Sequence, residues 1–238
     1  MKTALVTGAS RGIGAAVVKR LAQEGYRVAV NYNHSQEKAE ALAAEVGGMA
    51  VQADVSDPAQ VGKMVDTVLE NFCQLDILVC NAGVAWQGLT QDMDDGAYRR
   101  IMGTDLDGVF HCCKAVLPHM IARKTGRIIT LSSMWGQVGG SCEAAYSAAK
   151  AGVIGLTKAL AKEVGPSGIT VNCVAPGVID TEMNGRLGPE ALAALAEETP
   201  LGRLGTVEEV AECVAFLCSP GGGFLTGQVL SPNGGLVM

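Results

Sequence analysis

The sequence predicts an α/β protein: a single doubly wound domain over residues 1–238, with a seven-stranded parallel sheet and helices on both faces. Three observations carry this expectation. Apolar runs of strand length alternate with amphipathic helical stretches from one end of the 238-residue chain to the other. The connections between them are mostly a few residues long, and no linker, low-complexity stretch or fixed-period repeat interrupts the pattern. Such alternation implies right-handed crossovers, and hence a parallel sheet buried on both sides.

Each element has its own signal. Thr3–Val6 reads as a buried strand and Ile13–Gln23 as a helix. Val28–Val30 is a strand and Glu37–Val46 a helix; Met49–Val51 is a strand and Pro58–Phe72 a helix whose proline suits the first turn. Ile77–Val79 is a strand, followed by helices over about 97–102 and 106–123. Ile128–Leu131 is a strand and Ala144–Val164 a long helix; Ile169–Val174 is the sixth strand and Gly227–Ser231 the seventh, with helices at Pro189–Glu198 and Val207–Leu217 between them.

Composition narrows the function. Hydrophobic residues make up 48% and charged residues 18%, which excludes general disorder. A net charge of −6 without a basic run argues against a nucleic-acid partner. Met1-Lys2 leads into Gly8 with no charged and then apolar leader, and the eight cysteines sit mostly in apolar segments without a CxxC pair. Reduced thiols in a cytoplasmic protein are the expectation. Three histidines without ligand spacing offer no metal site. Cys213 to Met238 is uncharged, but Ser219–Gly223 and Pro232–Gly235 break it, so no membrane partner is expected.

The chemistry lies in a few short stretches. Thr7-Gly8-Ala9-Ser10-Arg11-Gly12-Ile13-Gly14 follows a strand and opens a helix, the context in which backbone N–H groups receive a pyrophosphate. After the second strand comes Asn31-Tyr32-Asn33-His34-Ser35, with no acid before Glu37 to grip a ribose 2′-hydroxyl. Together with Arg11, these neutral donors favour a 2′-phosphate and therefore NADP(H). Asp54, after the third strand, offers an acceptor to an adenine amino group. Tyr146 and Lys150 are spaced i, i+4 on the long helix and share a face. An ammonium there is expected to pull the phenol from its free value of about 10 toward working pH. Ser133 follows the fifth strand, at the sheet edge where such folds bind ligands.

Thr7-Gly8-x-x-x-Gly12-x-Gly14, Asn81-Ala82-Gly83, Ser133 thirteen residues before Tyr146, Tyr146-x-x-x-Lys150 and Pro176-Gly177-x-Ile179-x-Thr181 together resemble the short-chain dehydrogenase/reductase family over nearly the whole chain. Within it the chain is similar to the 3-oxoacyl-(acyl carrier protein) reductase branch. The resemblance implies a Rossmann fold, Tyr146 as proton donor, Ser133 on the substrate carbonyl and Lys150 on the nicotinamide ribose as well as on Tyr146. It places Thr181 on the carboxamide and Asn81 beside the cofactor. The cofactor surface so expected comprises Gly8, Ser10, Arg11, Gly12, Ile13, Gly14, Asn33, Ser35, Asp54, Val55, Asn81, Ala82, Gly83, Tyr146, Lys150, Pro176, Gly177, Ile179 and Thr181. The family's fourth catalytic residue is an Asn that supports a helix kink and a water relay to the lysine; here it is Asp105, followed by Leu106. Of the branch's two basic carrier-docking positions, one is Lys124 and the other Ser167.

A finer resemblance concerns Ser132-Ser133-Met134-Trp135-Gly136 and Ser141-Cys142-Glu143. It is similar to a subgroup that reduces the 5-aminopentanone modification of elongation factor P. Trp135, Glu143 and Met183 are the expected substrate residues, with residues 183–204 as a substrate lid. Glu143 is read either as a first-turn carboxylate, with Ser141 or Cys142 near the cap, or as the partner of a cationic amine on the substrate. The expected activity is NADPH-dependent reduction of a ketone, carried as a 3-oxoacyl thioester or on a modified protein. A non-catalytic dinucleotide sensor is the competing class, against which Ser133, Tyr146 and Lys150 speak. His111, Cys112 and Cys113 are read as core or interface residues, and Arg99-Arg100 as a solvated face. A homotetramer is expected, with Ala145, Ala148, Ala149, Gly152 and Gly155 admitting a second helix across a two-fold axis.

Overall fold

The computed structural model describes residues 1–182, 185 and 188–238. Seven parallel strands run in the order β3-β2-β1-β4-β5-β6-β7: β1 Thr3–Val6, β2 Arg27–Tyr32, β3 Met49–Gln52, β4 Ile77–Cys80, β5 Gly126–Leu131, β6 Ile169–Val174 and β7 Val229–Leu230. The expected class and every expected strand are present. β2 runs two residues further than expected, so Asn31 and Tyr32 lie within the strand, while β7 is trimmed to two residues at the sheet's edge.

Alternation along the strands explains why they read as unbroken apolar runs. Leu5, Leu78 and Ile128 enter a core beneath α3 (Pro58–Phe72), α5 (Gly108–Arg123) and α7 (Ala144–Val164). Ala4, Val6, Ile77, Val79 and Ile129 enter a second core beneath α1 (Gly12–Gln23), α2 (Gln36–Glu45) and α9 (Val207–Cys218). Neither face is left to solvent, so no polar residue is needed at every second position. α1 and α9 pack side by side, with Arg20 Nε 2.6 Å from Glu212 Oε1.

Local chemistry sets the helix ends. Asp57 accepts the N–H groups of Ala59 and Gln60 and fixes α3 with Pro58 in its first turn. Thr206 and Glu209 form a reciprocal capping box on α9. The two helices expected around residues 97–123 are one unbroken helical stretch: α4 (Asp95–Met102), a π-helical turn (Gly103–Asp107) and α5. In that turn the Gly108 N–H reaches back to the Gly103 carbonyl, five residues away, which turns Asp105 into the core. A short helix, α6 (Met134–Val138), has no counterpart in the sequence expectation, because five residues carry too little periodicity to read. α8 (Pro189–Glu198) matches it to the residue. Among the described residues no helix is long and apolar enough to cross a membrane.

Candidate active site

Strand order reverses between β1 and β4, and a cleft of about 950 Å³ opens along the C-terminal edge of the sheet there. Every residue of the expected cofactor surface lines this cleft, as do Ser133, Asp105, Trp135 and Glu143. Met183 lies outside the described residues.

The turn after β1 is held from two sides. Asn31, whose side chain is buried in β2, accepts the Gly8 N–H at 3.1 Å and donates to the Ala53 carbonyl at 3.1 Å. Asn81 donates to the carbonyls of Thr7 (2.9 Å) and Gly8 (3.0 Å), while the Thr7 hydroxyl accepts the N–H groups of Asn81 and Ala82. Gly8 has φ +60°, and a Cβ there would stand 2.6 Å from the Ala82 Cα. The α1 N-terminus carries no side-chain cap and no acid in its first turn, so its donors face the cleft. A helix end in this condition suits a pyrophosphate. The residues present therefore fit a dinucleotide.

At the rim, Asn33, His34 and Ser35 follow β2 into the cleft. Arg11 is exposed, and its Nε lies 3.6 Å from Glu182 Oε2. Asp54 Oδ1 accepts both the N–H and the hydroxyl of Ser56. Burial works to raise this carboxyl, but hydrogen bonds from Ser56 and Asn33 outweigh it and hold the group below its usual value.

At the other end, Ser133 ends the β5 segment in extended conformation, and its Oγ accepts the Trp135 N–H at 3.2 Å. Ser132 Oγ donates to the Lys150 carbonyl at 2.8 Å, tying α7 to the strand end. Tyr146 and Lys150 do share a face: Lys150 Nζ lies 5.5 Å from the Tyr146 ring centroid. The same ammonium donates to the Leu131 carbonyl at 3.0 Å and lies 3.2 Å from Asp105 Oδ2. Asp105 is fully buried and its Oδ1 accepts the Val84 N–H at 2.8 Å. Its Oδ2 has charge contact with Lys150 but no well-aligned hydrogen bond.

The electrostatics differ from expectation in one respect. Burial is the largest influence on the Tyr146 phenol and raises it; Lys150 and Ser133 pull it down, whereas Asp105 and Glu143 push it up. The net shift is upward, not toward working pH. Spacing revealed the lysine but neither the burial nor the carboxylate that offsets its charge. Burial lowers Lys150, but Asp105 and Tyr146 outweigh it and raise the ammonium, so it stays charged. Burial likewise lifts Asp105 against the pull of Lys150 and the Val84 amide.

Other expectations need correction. Glu143 is itself the α7 N-cap residue, without a side-chain cap bond, rather than a first-turn carboxylate capped by Ser141 or Cys142; its half-buried carboxyl is raised by desolvation. Ala145 and Ala149 are buried in the chain's own core, so these two cannot admit a neighbouring helix, while Gly152 is half-buried and a Cβ there would meet Leu106 at 3.0 Å. Cys112 and Cys113 are core residues, as expected, beside Cys80, whose thiol their contacts and burial hold well above the usual range. Lys124 and Ser167 precede β5 and β6, at the sheet edge opposite the cleft. Arg99 and Arg100 are exposed, as expected, and also line the cleft. Sequence reasoning placed Asn31 among the donors after the second strand and missed that its buried amide, within β2, holds the glycine turn, although a lone amide in an apolar strand was a readable signal. It also missed Glu182, whose partner lies 171 positions upstream and leaves no local pattern.

The structural assignment has independent support. A family model described as enoyl-(acyl carrier protein) reductase matches residues 8–237. The chain is 45% identical over 242 residues to a 3-oxoacyl-(acyl-carrier-protein) reductase, FabG, of Staphylococcus aureus, covering 100% of this chain and 98% of the relative. It is 42% identical over 239 residues to the Escherichia coli protein of that name, again covering 100% and 98%. With the glycine turn, the Ser133–Tyr146–Lys150 cluster and this full-length similarity in agreement, the chain belongs to the short-chain dehydrogenase/reductase family.

Proposed function

We propose that the protein reduces the ketone of a 3-oxoacyl thioester, borne on an acyl carrier, to a secondary alcohol with NADPH. The observation that carries this reading is the grouping of Ser133, Tyr146, Lys150 and Asp105 at one end of a cleft whose other end presents uncapped helix donors. The names of the relatives support the substrate class. Arg11, Ser10, Asn33 and Ser35 would hold the adenosine ribose phosphate; Gly12, Ile13 and Gly14 the pyrophosphate; Asp54 and Val55 the adenine. Gly8, Asn81, Ala82 and Gly83 would form the floor, and Pro176, Gly177, Ile179 and Thr181 would hold the carboxamide.

When bound, a reduced nicotinamide supplies the hydride that reaches the carbonyl carbon. Tyr146 keeps its proton on the phenol oxygen and releases it to the carbonyl oxygen as negative charge develops there. A raised pKa suits that task, because the phenol stays protonated at neutral pH yet is far more acidic than the alcohol it makes. Ser133 Oγ accepts the Trp135 N–H and hydrogen-bonds the Tyr146 phenol, and it would turn its own proton to the substrate carbonyl to polarise it. Lys150 holds a positive charge against the phenol and offers its remaining protons to the nicotinamide ribose. Trp135 and Glu143 line the cleft and would meet the substrate.

The reading extends to a homotetramer. Ala144, Ala148, Ala151 and Gly155 form an outward stripe of small residues on α7, and Phe110 and Ile121 are exposed on α5.

The direct test is NADPH oxidation with an acetoacetyl thioester. Tyr146→Phe should lower kcat/KM by at least about 100-fold, the scale of a lost general acid. Equal rates in the two proteins would overturn the enzymatic reading.

A further inference from the structure

Two cations from separate elements meet one carboxylate at the rim of the cleft. Glu182, just beyond Thr181, has Oε2 at 3.6 Å from Arg11 Nε and Oε1 at 3.3 Å from Lys38 Nζ. Arg11 belongs to the turn between β1 and α1, and Lys38 to α2. Among the described residues neither cation has another ion pair. Arg11 and Glu182 line the cleft beside Asn33, His34 and Ser35, the segment where the second strand delivers no acid. That acid is supplied after all, from the far side of the fold.

We propose that Arg11 and Lys38 together form the seat of the ribose 2′-phosphate, and that Glu182 is a resident competitor for it which narrows the preference for phosphorylated dinucleotides. The proposal rests on the NADP(H) reading above and adds two residues to it. Like charges repel, so a pair of cations gathered at one point needs an anion between them. A carboxylate meets that need with one charge and two oxygens. A phosphate monoester brings nearly two charges and three oxygens, and it can take the Arg11 fork and the Lys38 ammonium together. The exchange is feasible because the present pairs are weak: the side chains of Arg11, Lys38 and Glu182 are 59%, 56% and 65% exposed. Glu182 must turn to solvent when the phosphate arrives, since two anions would otherwise adjoin. An unphosphorylated ribose imposes no such exchange. Glu182 therefore costs affinity only for the 2′-phosphorylated ligand.

Calorimetric titration of the full chain with adenosine 2′,5′-bisphosphate, and separately with adenosine 5′-monophosphate, reads this directly. Glu182→Gln should tighten the bisphosphate at least about threefold at low salt, and Lys38→Gln should weaken it by a similar factor. Neither variant should change the monophosphate Kd by more than about twofold. All three side chains are exposed, and thermal melts of both variants check that the fold is kept. If Glu182→Gln leaves the bisphosphate unchanged, or tightens both probes equally, the competitor role is overturned while the cofactor reading stands. If Lys38→Gln leaves it unchanged, Lys38 is no part of the seat. If the wild-type chain does not distinguish the two probes, the NADP(H) reading falls and this inference with it.

Discussion

Asp105 is where one atom changes the chemistry most. An Asn of the same shape would keep the 2.8 Å bond from the Val84 N–H through its carbonyl oxygen. What it would remove is the negative charge 3.2 Å from Lys150 Nζ. Asp105 raises the Tyr146 phenol and Lys150 lowers it, so Asp105→Asn leaves the lysine's pull unopposed. The expected outcome is an alkaline limb of the kcat/KM profile for ketone reduction that moves to lower pH, since the proton donor is lost sooner. A limb that stays in place or moves upward would show that the carboxylate does not reach the phenol. The sequence displayed Tyr146 and Lys150 as a pair, and the resemblance tied the Asp105 position to the lysine through a water relay, but not the direct charge contact between Asp105 and Lys150. That depends on the π turn, which a single-residue shift in hydrogen bonding creates without a distinctive composition.

The elements were legible in proportion to their length and their punctuation. α3 and α7 match expectation at both ends: Asp57-Pro58 marks the start of α3, and α7 runs for 21 residues. Where nothing punctuates, boundaries slipped, as at β2 and in the continuous stretch from Asp95 to Arg123. α9 offers a measurable test of end chemistry. Thr206 Oγ1 accepts the Glu209 N–H, and Glu209 returns a bond to the Thr206 N–H at 2.9 Å. Arg203 and the Thr206 backbone hold the Glu209 carboxyl down at about 2, so the cap stays charged through mildly acidic conditions. Thr206→Ala should destabilise the protein by about 1 kcal/mol, read as a lower denaturation midpoint with an unchanged slope. No change would mean that α9 is held by its buried face alone.

At the scale of the whole molecule, the class and strand content were readable because the inner strands are buried on both faces. Which side of α7 is open to another molecule was not, because a helix of small residues looks alike on every side. Ala145 and Ala149 face the chain's own core and Gly152 faces Leu106, while Ala144, Ala148, Ala151 and Gly155 face outward. Light scattering at micromolar concentration should report four chains, and Ala148→Arg should lower that number without unfolding the protein. A wild-type monomer would refute the assembly.

The packing of α1 against α9 has a consequence for how the chain is made. Val17, Val18 and Leu21 on α1 are fully buried, in the core they share with α9. A ribosome releases α1 long before Val207–Cys218 exists, so one face of the nascent sheet stays oily until translation is almost complete. Meanwhile the second edge of β1 waits for β4, whose Ile77 pairs with Ala4. A chain cut at residue 206 should therefore emerge protease-sensitive and prone to aggregate, although it retains six of the seven strands and the whole Ser133–Tyr146–Lys150 cluster. Recovery of that fragment as a soluble, protease-resistant protein would show that synthesis need not reach its last helix before the fold closes.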